Sequence, residues 1–415
     1  MIFNQLQAAV LLLGLQATAG IAGSTANSIS KRDPCVPLAN GFEAIDDSPA
    51  INDALKACGN GGTIVLPADQ FYSIRSPIDF TPCKNCDFQI EGQLIVARGQ
   101  WDYWRYGFSN GSVPAFFHVP NVHGARIHSV TGKGVIDGNA IEYYTTRYDS
   151  GIGSTISFFE IKNSSSDITI ENLVMKNVMH RFIRAQGNST NLTFRNLTLT
   201  MEEQWGDYPR NQYDAAGIEL GMVSGVSISD ITMAFSSMKT RVTGPVGICI
   251  PFDVGAHNID VRRVTCKGAW GGVLVSMGAI DYLTSLLREP VPPSLTADTI
   301  GNIYVSDLTF SGNLATGIMS YWFDGNTHNV TWDGVTVLDG TPAFENLCYL
   351  KSHSNTPFVP NCFANLEATV TDVWFKRFRG NGLVAPEKGS WDNPGKAGYN
   401  NKTVIRVGFE DWGSL

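Results

Sequence analysis

The sequence predicts an all-β fold, namely a right-handed parallel β-helix that forms a single domain with an N-terminal capping helix. Three observations point to this class. One short strand phrase recurs along the chain, charged residues make up only 16% of it, and 42 glycines supply many turns. Low charge with abundant glycine is typical of a turn-rich β protein, and a recurring phrase is typical of a solenoid.

The repeated phrase is a polar turn, an apolar–x–apolar strand, two polar residues and a second apolar–x–apolar strand. Each copy has an apolar edge that only a neighbouring copy can bury, so stacked copies would share one core. A β-sandwich also contains many short strands, but it would not repeat one phrase. The copies lie at 125–138, 166–177, 190–200, 224–235, 257–268, 301–312 and 328–339.

The N-terminal residues read as a leader. The apolar run from Ala8 to Leu15 predicts a secretory signal over residues 1–22, with a buried first helix as the alternative. That run is too short to span a membrane. Residues 23–34 are expected to be a propeptide or linker, because Lys31-Arg32 is typical of a dibasic processing site. The single β-helix domain then occupies residues 35–415.

Apolar residues at helical spacing predict a helix over Asp46 to Cys58, with Asp47 or Ser48 as the cap and Pro49 in its first turn. This helix is expected to close one end of the solenoid. The stretches TIVLP and FQIEGQLIVA that follow read as strands.

Eight cysteines after a secretory signal are expected to be paired. Their local order suggests Cys35–Cys58, Cys83–Cys86, Cys249–Cys266 and Cys348–Cys362, although eight cysteines allow about 105 pairings. A zinc site at Cys83 and Cys86 lacks a second ligand pair, so neither metal nor cofactor is expected. Asn-x-Ser/Thr sites support the secretory route and lie at Asn110, Asn163, Asn188, Asn191, Asn196, Asn329 and Asn401.

Three further segments carry a family resemblance: PRNQYDAAGIEL at 209–220, GICIPFDVGAHNIDVRRVTCKGAWGGVLVSMG at 247–278, and ATGIMSYWFDG at 315–325. With DDSPAINDALKACGNGGTIVLP and TGKGVIDGN, they resemble the glycoside hydrolases of family 28, the polygalacturonases. The likeness is greatest to the fungal exo-acting and xylogalacturonan-type branch and covers residues 35–379. It implies a right-handed β-helix of the pectin-lyase type, with an open cleft along one sheet.

The resemblance also implies a catalytic set that this chain largely lacks. Family members carry Asn-Thr-Asp, Asp-Asp, Gly-His-Gly and Arg-Ile-Lys on neighbouring coils, which supply an acid, a base and groups that bind the sugar acid. By this comparison Asp214 retains the first acid, whereas Gly247-Ile248, Trp270 and Met319 replace the Asp pair, the His and the Lys. The replacements predict a more hydrophobic groove that lacks a lysine for galacturonate.

Candidate site residues follow from these positions. Asp214, Glu219 and Asp253 are the candidate catalytic carboxylates, with turn-capping acids as the alternative. Trp270 is interpreted as a cleft wall rather than a core residue, and the other residues have turn or strand-edge roles as their alternative. The candidate substrate-binding residues are Trp270, Met319, Tyr321, Trp322, Asp324, His180 and Arg184.

The first functional hypothesis is a secretory enzyme that has left hydrolysis and catalyses isomerisation, cyclisation or elimination on an apolar small molecule, such as a fungal secondary metabolite. The second is a glycoside hydrolase that cleaves a neutral or pectic wall polysaccharide with a relocated carboxylate pair. The third is a carbohydrate-binding protein without catalysis. The expected partner is a small molecule or glycan in an open groove of a monomer; a net charge of −8 argues against nucleic acid.

Overall fold

The structure is a computed structural model that describes residues 33–98, 115–140, 156–202, 216–235, 247–269, 271–277, 299–312, 316–322, 325–339, 344–346, 368–380 and 402–413. Two sheets contain its strands, and every strand pairing in them is parallel. The chain passes from one sheet to the other and back, so that each coil adds to both. This arrangement confirms the predicted right-handed parallel β-helix.

Within the described residues the smaller sheet has nine short strands, paired in reverse chain order from β21 to β3. They are β3 Ile78–Asp79, β6 Phe117–Pro120, β9 Phe159–Lys162, β11 Arg181–Ala185, β13 Ala216–Leu220, β15 Ile248–Phe252, β17 Gly271–Met277, β19 Thr316–Trp322 and β21 Phe344–Asn346.

In the part of the chain that the structure describes, the larger sheet has fifteen strands, of which eleven follow one another in chain order. They are β1 Thr63–Leu66, β2 Phe71–Ile74, β4 Lys84–Ile90, β5 Gln93–Val96, β7 His123–His128, β8 Val135–Asp137, β10 Ser166–Lys176, β12 Ser189–Met201, β14 Val223–Phe235, β16 Ala256–Lys267, β18 Thr299–Ser311, β20 Gly325–Val337, β22 Ala368–Lys376, β23 Arg379–Gly380 and β24 Lys402–Glu410.

Six of the seven copies of the repeated phrase form one long strand each, whereas the copy at 125–138 forms two short strands, β7 and β8, as the sequence predicted. In β12, Asn191 and Asn196 have positive φ angles of 53° and 50°, yet pairing with β14 continues on both sides of them. Asn enters the left-handed region more readily than most residues because its short amide can bond locally. The polar pair between the apolar triplets is therefore a bend within a strand.

The core consists of apolar ladders that run along the solenoid. In the larger sheet one ladder joins equivalent residues of successive strands, and each of them is at most 2% exposed. Burial of each such side chain contributes about 1.5–3 kcal/mol. The ladder contains Ile168, Leu192, Val226, Ile259, Ile303 and Val330.

The capping helix α1 spans Ser48–Cys58 and buries Leu55 at its centre. It begins two residues later than the Asp46 start that the spacing predicted. Asp47 occupies the N-cap position without a side-chain capping bond, because its carboxylate accepts hydrogen bonds from Asn40 and from the backbone N–H of Ser73. Asp47 thus fastens the chain before the helix to the first coil.

Three of the four expected disulfides are confirmed: Cys35–Cys58, Cys83–Cys86 and Cys249–Cys266. The fourth, Cys348–Cys362, lies outside the described residues. Cys249 belongs to β15 and Cys266 to β16, so this bond links the two sheets across the core. In the described part of the chain, no helix has the length and apolarity needed to cross a membrane.

Candidate active site

The outer face of the smaller sheet carries the polar side chains that the sequence singled out. Ile218 and Leu220 of β13 are fully buried in the core, and Glu219 stands between them. Because successive side chains of a strand point to opposite faces, Glu219 lies on the outer face. Arg184 pairs with Glu219 across the two strands and lies on the same face.

Glu219 is the centre of an ionic cluster. Nε of Arg184 donates to Oε1 of Glu219 at 3.0 Å, and the guanidinium of Arg181 forms an ion pair with the other carboxylate oxygen. Nη1 of Arg181 also donates to the imidazole of His180, which is 2% exposed. The Glu219 side chain is only 4% exposed, so two cations compensate a carboxylate that has lost most of its water.

A second ionic group lies next to it on β9. Nζ of Lys162 donates to Oε2 of Glu160 at 2.7 Å, and Nε2 of Gln186 donates to Oε1 at 3.1 Å. Glu160 pairs in register with both Arg184 and His118 of the neighbouring strands. Burial, with the positive charge of Lys162, lowers the pKa of His118, although nearby carboxylates oppose the shift.

Beyond β13 the strand positions in register with Glu219 hold apolar residues. The pairing of Leu220 with Phe252 places Pro251 beside Glu219, and Pro251 in turn pairs with Leu274. Leu274 is 6% exposed but lies outside the continuous core, as does Ile248. The register continues from Leu274 to Met319 of β19. Three successive strands therefore carry Pro251, Leu274 and Met319 where the preceding strands carry charged groups.

Asp253 follows β15 at the edge of this face and is half-buried. Its Oδ1 accepts a hydrogen bond from the N–H of Val254 at 2.8 Å, and its own N–H donates to the carbonyl of Leu220 at 2.7 Å. Relative to Glu219, Asp253 lies one strand across and two residues along. A strand spacing of about 4.8 Å and a rise of about 3.3 Å per residue place the two Cα atoms roughly 8 Å apart.

The other candidate residues are less fully placed. Asp214, Trp270 and Asp324 lie outside the described residues. Met319, Tyr321 and Trp322 belong to β19, where the structure describes their backbone and pairing but not their side chains. Glu219, Arg184 and His180 are brought together, and Asp253 lies close by.

Sequence reasoning missed four polar residues of this face, namely Asp79, His118, Glu160 and Lys162. The available signal was the stretch FFEIK, in which two charged residues alternate with buried apolar ones on a strand. Alternation of that kind marks an outward face, but it does not say which sheet the strand joins. Among the described residues no group of three or more His, Cys, Asp or Glu side chains is placed to hold a metal ion.

Comparisons with known proteins agree with this geometry. The sequence profile described as "Glycosyl hydrolases family 28" matches residues 62–284. The chain is 32% identical over 313 residues to a probable endo-xylogalacturonan hydrolase A of Aspergillus flavus, covering 75% of this chain and 68% of that protein. Over 361 residues it is 29% identical to endo-xylogalacturonan hydrolase A of Aspergillus tubingensis, with 85% and 79% coverage.

Solved structures of similar fold include enzymes of the same kind. The crystal structure of endo-xylogalacturonan hydrolase from Aspergillus tubingensis superposes with a TM-score of 0.67 at 27% identity, covering 92% of this chain and 93% of that one. An exopolygalacturonase from Thermotoga maritima superposes with a TM-score of 0.55 at 12% identity, over 92% and 93%. The second likeness is one of fold alone.

Proposed function

The chain belongs to the glycosyl hydrolases of family 28, and from that membership we propose that it hydrolyses glycosidic bonds of a pectic wall polysaccharide. The named activity of its relatives and the carboxylates on the outer face both favour this second hypothesis of the sequence analysis over non-hydrolytic chemistry. The observation that carries it is Glu219, a carboxylate held among two guanidinium groups on the outer face.

Glycoside hydrolysis needs one group that protonates the leaving oxygen and one ionised carboxylate that activates water or stabilises the cationic transition state. Arg181 and Arg184 favour the ionised form of Glu219, so we assign it the ionised role. Asp214 and Asp253 are then the candidates for the proton donor. Glu219 on β13 and Asp253, directly after the neighbouring strand β15, lie roughly 8 Å apart between Cα atoms, which is close enough for both side chains to reach one sugar unit.

One objection to hydrolysis is that the face lacks a cation for the substrate, and cations on neighbouring strands weaken it. The exchange of the family lysine for Met319 removes a cation from β19, and the sequence alone suggested that none replaces it. Lys162, Arg181 and Arg184 lie on β9 and β11 of the same sheet, each paired with a carboxylate. Guanidinium and ammonium groups can also hydrogen-bond sugar hydroxyls, so this end of the face is suited to a polar ligand.

The test is the release of reducing ends from xylogalacturonan, polygalacturonate and a rhamnose-rich pectin by purified protein. Loss of an acid or base is expected to lower kcat about 100-fold or more, so Glu219→Gln and either Asp214→Asn or Asp253→Asn should show that loss. Asp260→Asn, on the larger sheet, is the control and should retain activity. Unchanged activity in both aspartate variants would remove the relocated carboxylate pair from consideration.

A second candidate function keeps the first hypothesis of the sequence analysis. Pro251 pairs with Leu274, and Ile248 lies on the same strand as Pro251; these apolar residues favour a ligand with hydrocarbon surface. In that case no polysaccharide would release reducing ends, and an apolar metabolite would bind and be isomerised, cyclised or cleaved by elimination. Binding of a glycan without turnover would instead support the carbohydrate-binding alternative.

We further propose that the protein acts outside the cytosol. Residues 1–22 read as a secretory signal, and three disulfides suit an oxidising compartment. The expected propeptide or linker at 23–34, the single domain at 35–415 and the monomeric state remain predictions. Mass spectrometry of the exported protein would give its mature N-terminus, and light scattering its oligomeric state.

A further inference from the structure

We propose that the outer face of the smaller sheet takes an uncharged sugar chain, such as esterified galacturonan or a neutral-sugar polymer, in preference to a free polyuronate. This inference rests on the proposed function, because it names the substrate class of the same site. Two independent features of the face support it: the balance of its charges and the uncharged positions that follow them.

The charges on the described part of this face leave no excess of positive charge. Four carboxylates belong to Asp79, Glu160, Glu219 and Asp253, and three cations belong to Lys162, Arg181 and Arg184. Each of these cations already forms an ion pair with a carboxylate. A polyanion would have to compete with Glu160 and Glu219 for them.

Such competition is costly because the paired groups are shielded from water. Side-chain exposure is 10% for Glu160 and 4% for Glu219, while Lys162 and Arg181 expose 19% and 12%. Removing a cation from a buried carboxylate leaves that charge without compensation, which costs several kcal/mol. Sugar hydroxyls can instead add hydrogen bonds at the edge of the cluster without displacing either partner.

His118 adds no positive charge to offset this balance. It pairs in register with Glu160 and is half-buried. Its pKa is lowered by burial and by the neighbouring Lys162. Neutral imidazole is therefore favoured, and a neutral imidazole donates or accepts hydrogen bonds from sugar hydroxyls without attracting an anion.

The apolar end of the face points in the same direction. Pro251, Leu274 and Met319 occupy paired positions on β15, β17 and β19. A uronate carboxylate over Leu274 would lose water without gaining a partner from Leu274 or Pro251. An ester methyl group or the C–H face of a neutral sugar has no charge to desolvate there; Pro251 is buried and Leu274 is 6% exposed, so the apolar area gained is small.

The experiment compares galacturonan oligomers of one length, as free acids and as methyl esters, with a neutral galactan of similar length as a third arm. Both kcat/KM and the wild-type Kd for oligomers with uncleavable thioglycosidic linkages are measured at low and high ionic strength. The ester or the neutral chain should be favoured about tenfold or more over the free acid, which corresponds to about 1.4 kcal/mol. Its kcat/KM should change little with salt, because screening acts on charged partners. The ester and galactan arms distinguish the two sources of an uncharged chain.

A variant supplies the reverse test. Leu274→Lys adds a cation to the apolar end and should raise the relative kcat/KM for the free acid about tenfold, with new salt dependence. Thr265→Lys adds the same charge to the larger sheet and should leave the preference unchanged. If Leu274→Lys does not fold, the wild-type comparison still decides the matter.

A wild-type preference for the free acid, with kcat/KM falling steeply as salt rises, would overturn this inference and leave the proposed hydrolysis intact. Absence of cleavage in every arm would instead count against the proposed function. The Kd values would then still decide between charged and uncharged ligands, and tighter binding of the free acid would overturn the inference.

Discussion

Arg184 and Glu219 occupy paired positions on adjacent strands of the smaller sheet, and their side chains meet at 3.0 Å between Nε and Oε1. The same carboxylate also pairs with Arg181. A carboxylate with 4% side-chain exposure is stable in ionised form only when cations or donors replace its lost water. The two arginines therefore compensate the buried charge of Glu219.

Glu219→Gln is expected to lower the free energy of unfolding by about 3 kcal/mol, because it leaves two poorly exposed guanidinium groups without their carboxylate. Urea denaturation followed by circular dichroism measures the change. Asp260→Asn is the matched control, since Asp260 pairs with Arg262 at side-chain exposures of 42% and 50%. That exposed pair contributes at most about 1 kcal/mol. Equal losses in the two variants would contradict a central role for the Glu219 cluster in stability.

The sequence predicted the solenoid well because apolar positions repeat wherever coils stack. Phe194 and Ile228, for example, pair in the core at 0% exposure, and each lies in a copy of the repeated phrase. The phrase did not predict that both halves belong to one strand. That depends on residues such as Asp230, whose φ of 58° bends β14 without ending it. A left-handed angle leaves only a weak trace in sequence, since Asn and Asp are also common in ordinary turns.

The candidate site was only partly predictable. Glu219 and Arg184 could be chosen from a family resemblance, but their contact depends on the register between β11 and β13, which the sequence does not reveal. Glu160 was missed because it lies 59 residues before Glu219 in the chain, and only stacking of coils brings β9 beside β11. Residues that meet across coils carry no common sequence spacing when the turns between coils vary in length.

Removal of each disulfide is expected to lower the free energy of unfolding by an amount that depends on the length of the loop it closes. Cys249 and Cys266 close a loop with a sequence separation of 17, whereas Cys83 and Cys86 are separated by 3. A chain-entropy argument gives a loss of about 3 kcal/mol for Cys249→Ala with Cys266→Ala, and about half as much for the shorter loop. Chemical denaturation of the two double variants measures both. A larger loss from the Cys83–Cys86 pair would show that loop entropy does not govern these bonds.

The ion pairs of Glu171 are expected to make the free energy of unfolding fall in acid. Burial raises its pKa, but hydrogen bonds from the guanidinium groups of Arg195 and Arg126 outweigh burial and hold the pKa below its ordinary value of 4.5. Because the folded pKa is depressed, this stabilisation is present above 4.5 and is lost as pH falls through the folded pKa. The difference in unfolding free energy between wild type and Glu171→Gln should thus be greatest near neutral pH and shrink in acid.

The measurement is a set of urea denaturation curves from neutral pH to below the ordinary glutamate pKa. Thr169→Ser, on the same strand, is the control and should follow the wild-type dependence on pH. A difference between wild type and Glu171→Gln that stays constant as pH falls would contradict the assignment. The lower stability of Glu171→Gln would then result from packing rather than from ionisation of Glu171.

Gly272 in the segment AWGG predicts a packing constraint behind the candidate site. A Cβ at this position would lie 2.2 Å from the ring of Phe310 and 2.4 Å from the carbonyl oxygen of Gly317. Phe310 is 1% exposed, so it has little room to move. Gly272→Ala should therefore lower the free energy of unfolding by about 1–3 kcal/mol through overpacking.

Gly413→Ala is the matched control, because a Cβ there meets no atom within 4 Å. It should change the free energy of unfolding by no more than about 0.5 kcal/mol. Thermal and urea denaturation of both variants measure the contrast. Gly272 contacts the core, whereas the proposed ligand lies on the outer face. Gly272→Ala should therefore lower the free energy of unfolding and leave the Kd for a bound oligomer nearly unchanged. An unchanged stability with a lost affinity would instead place Gly272 in the ligand site.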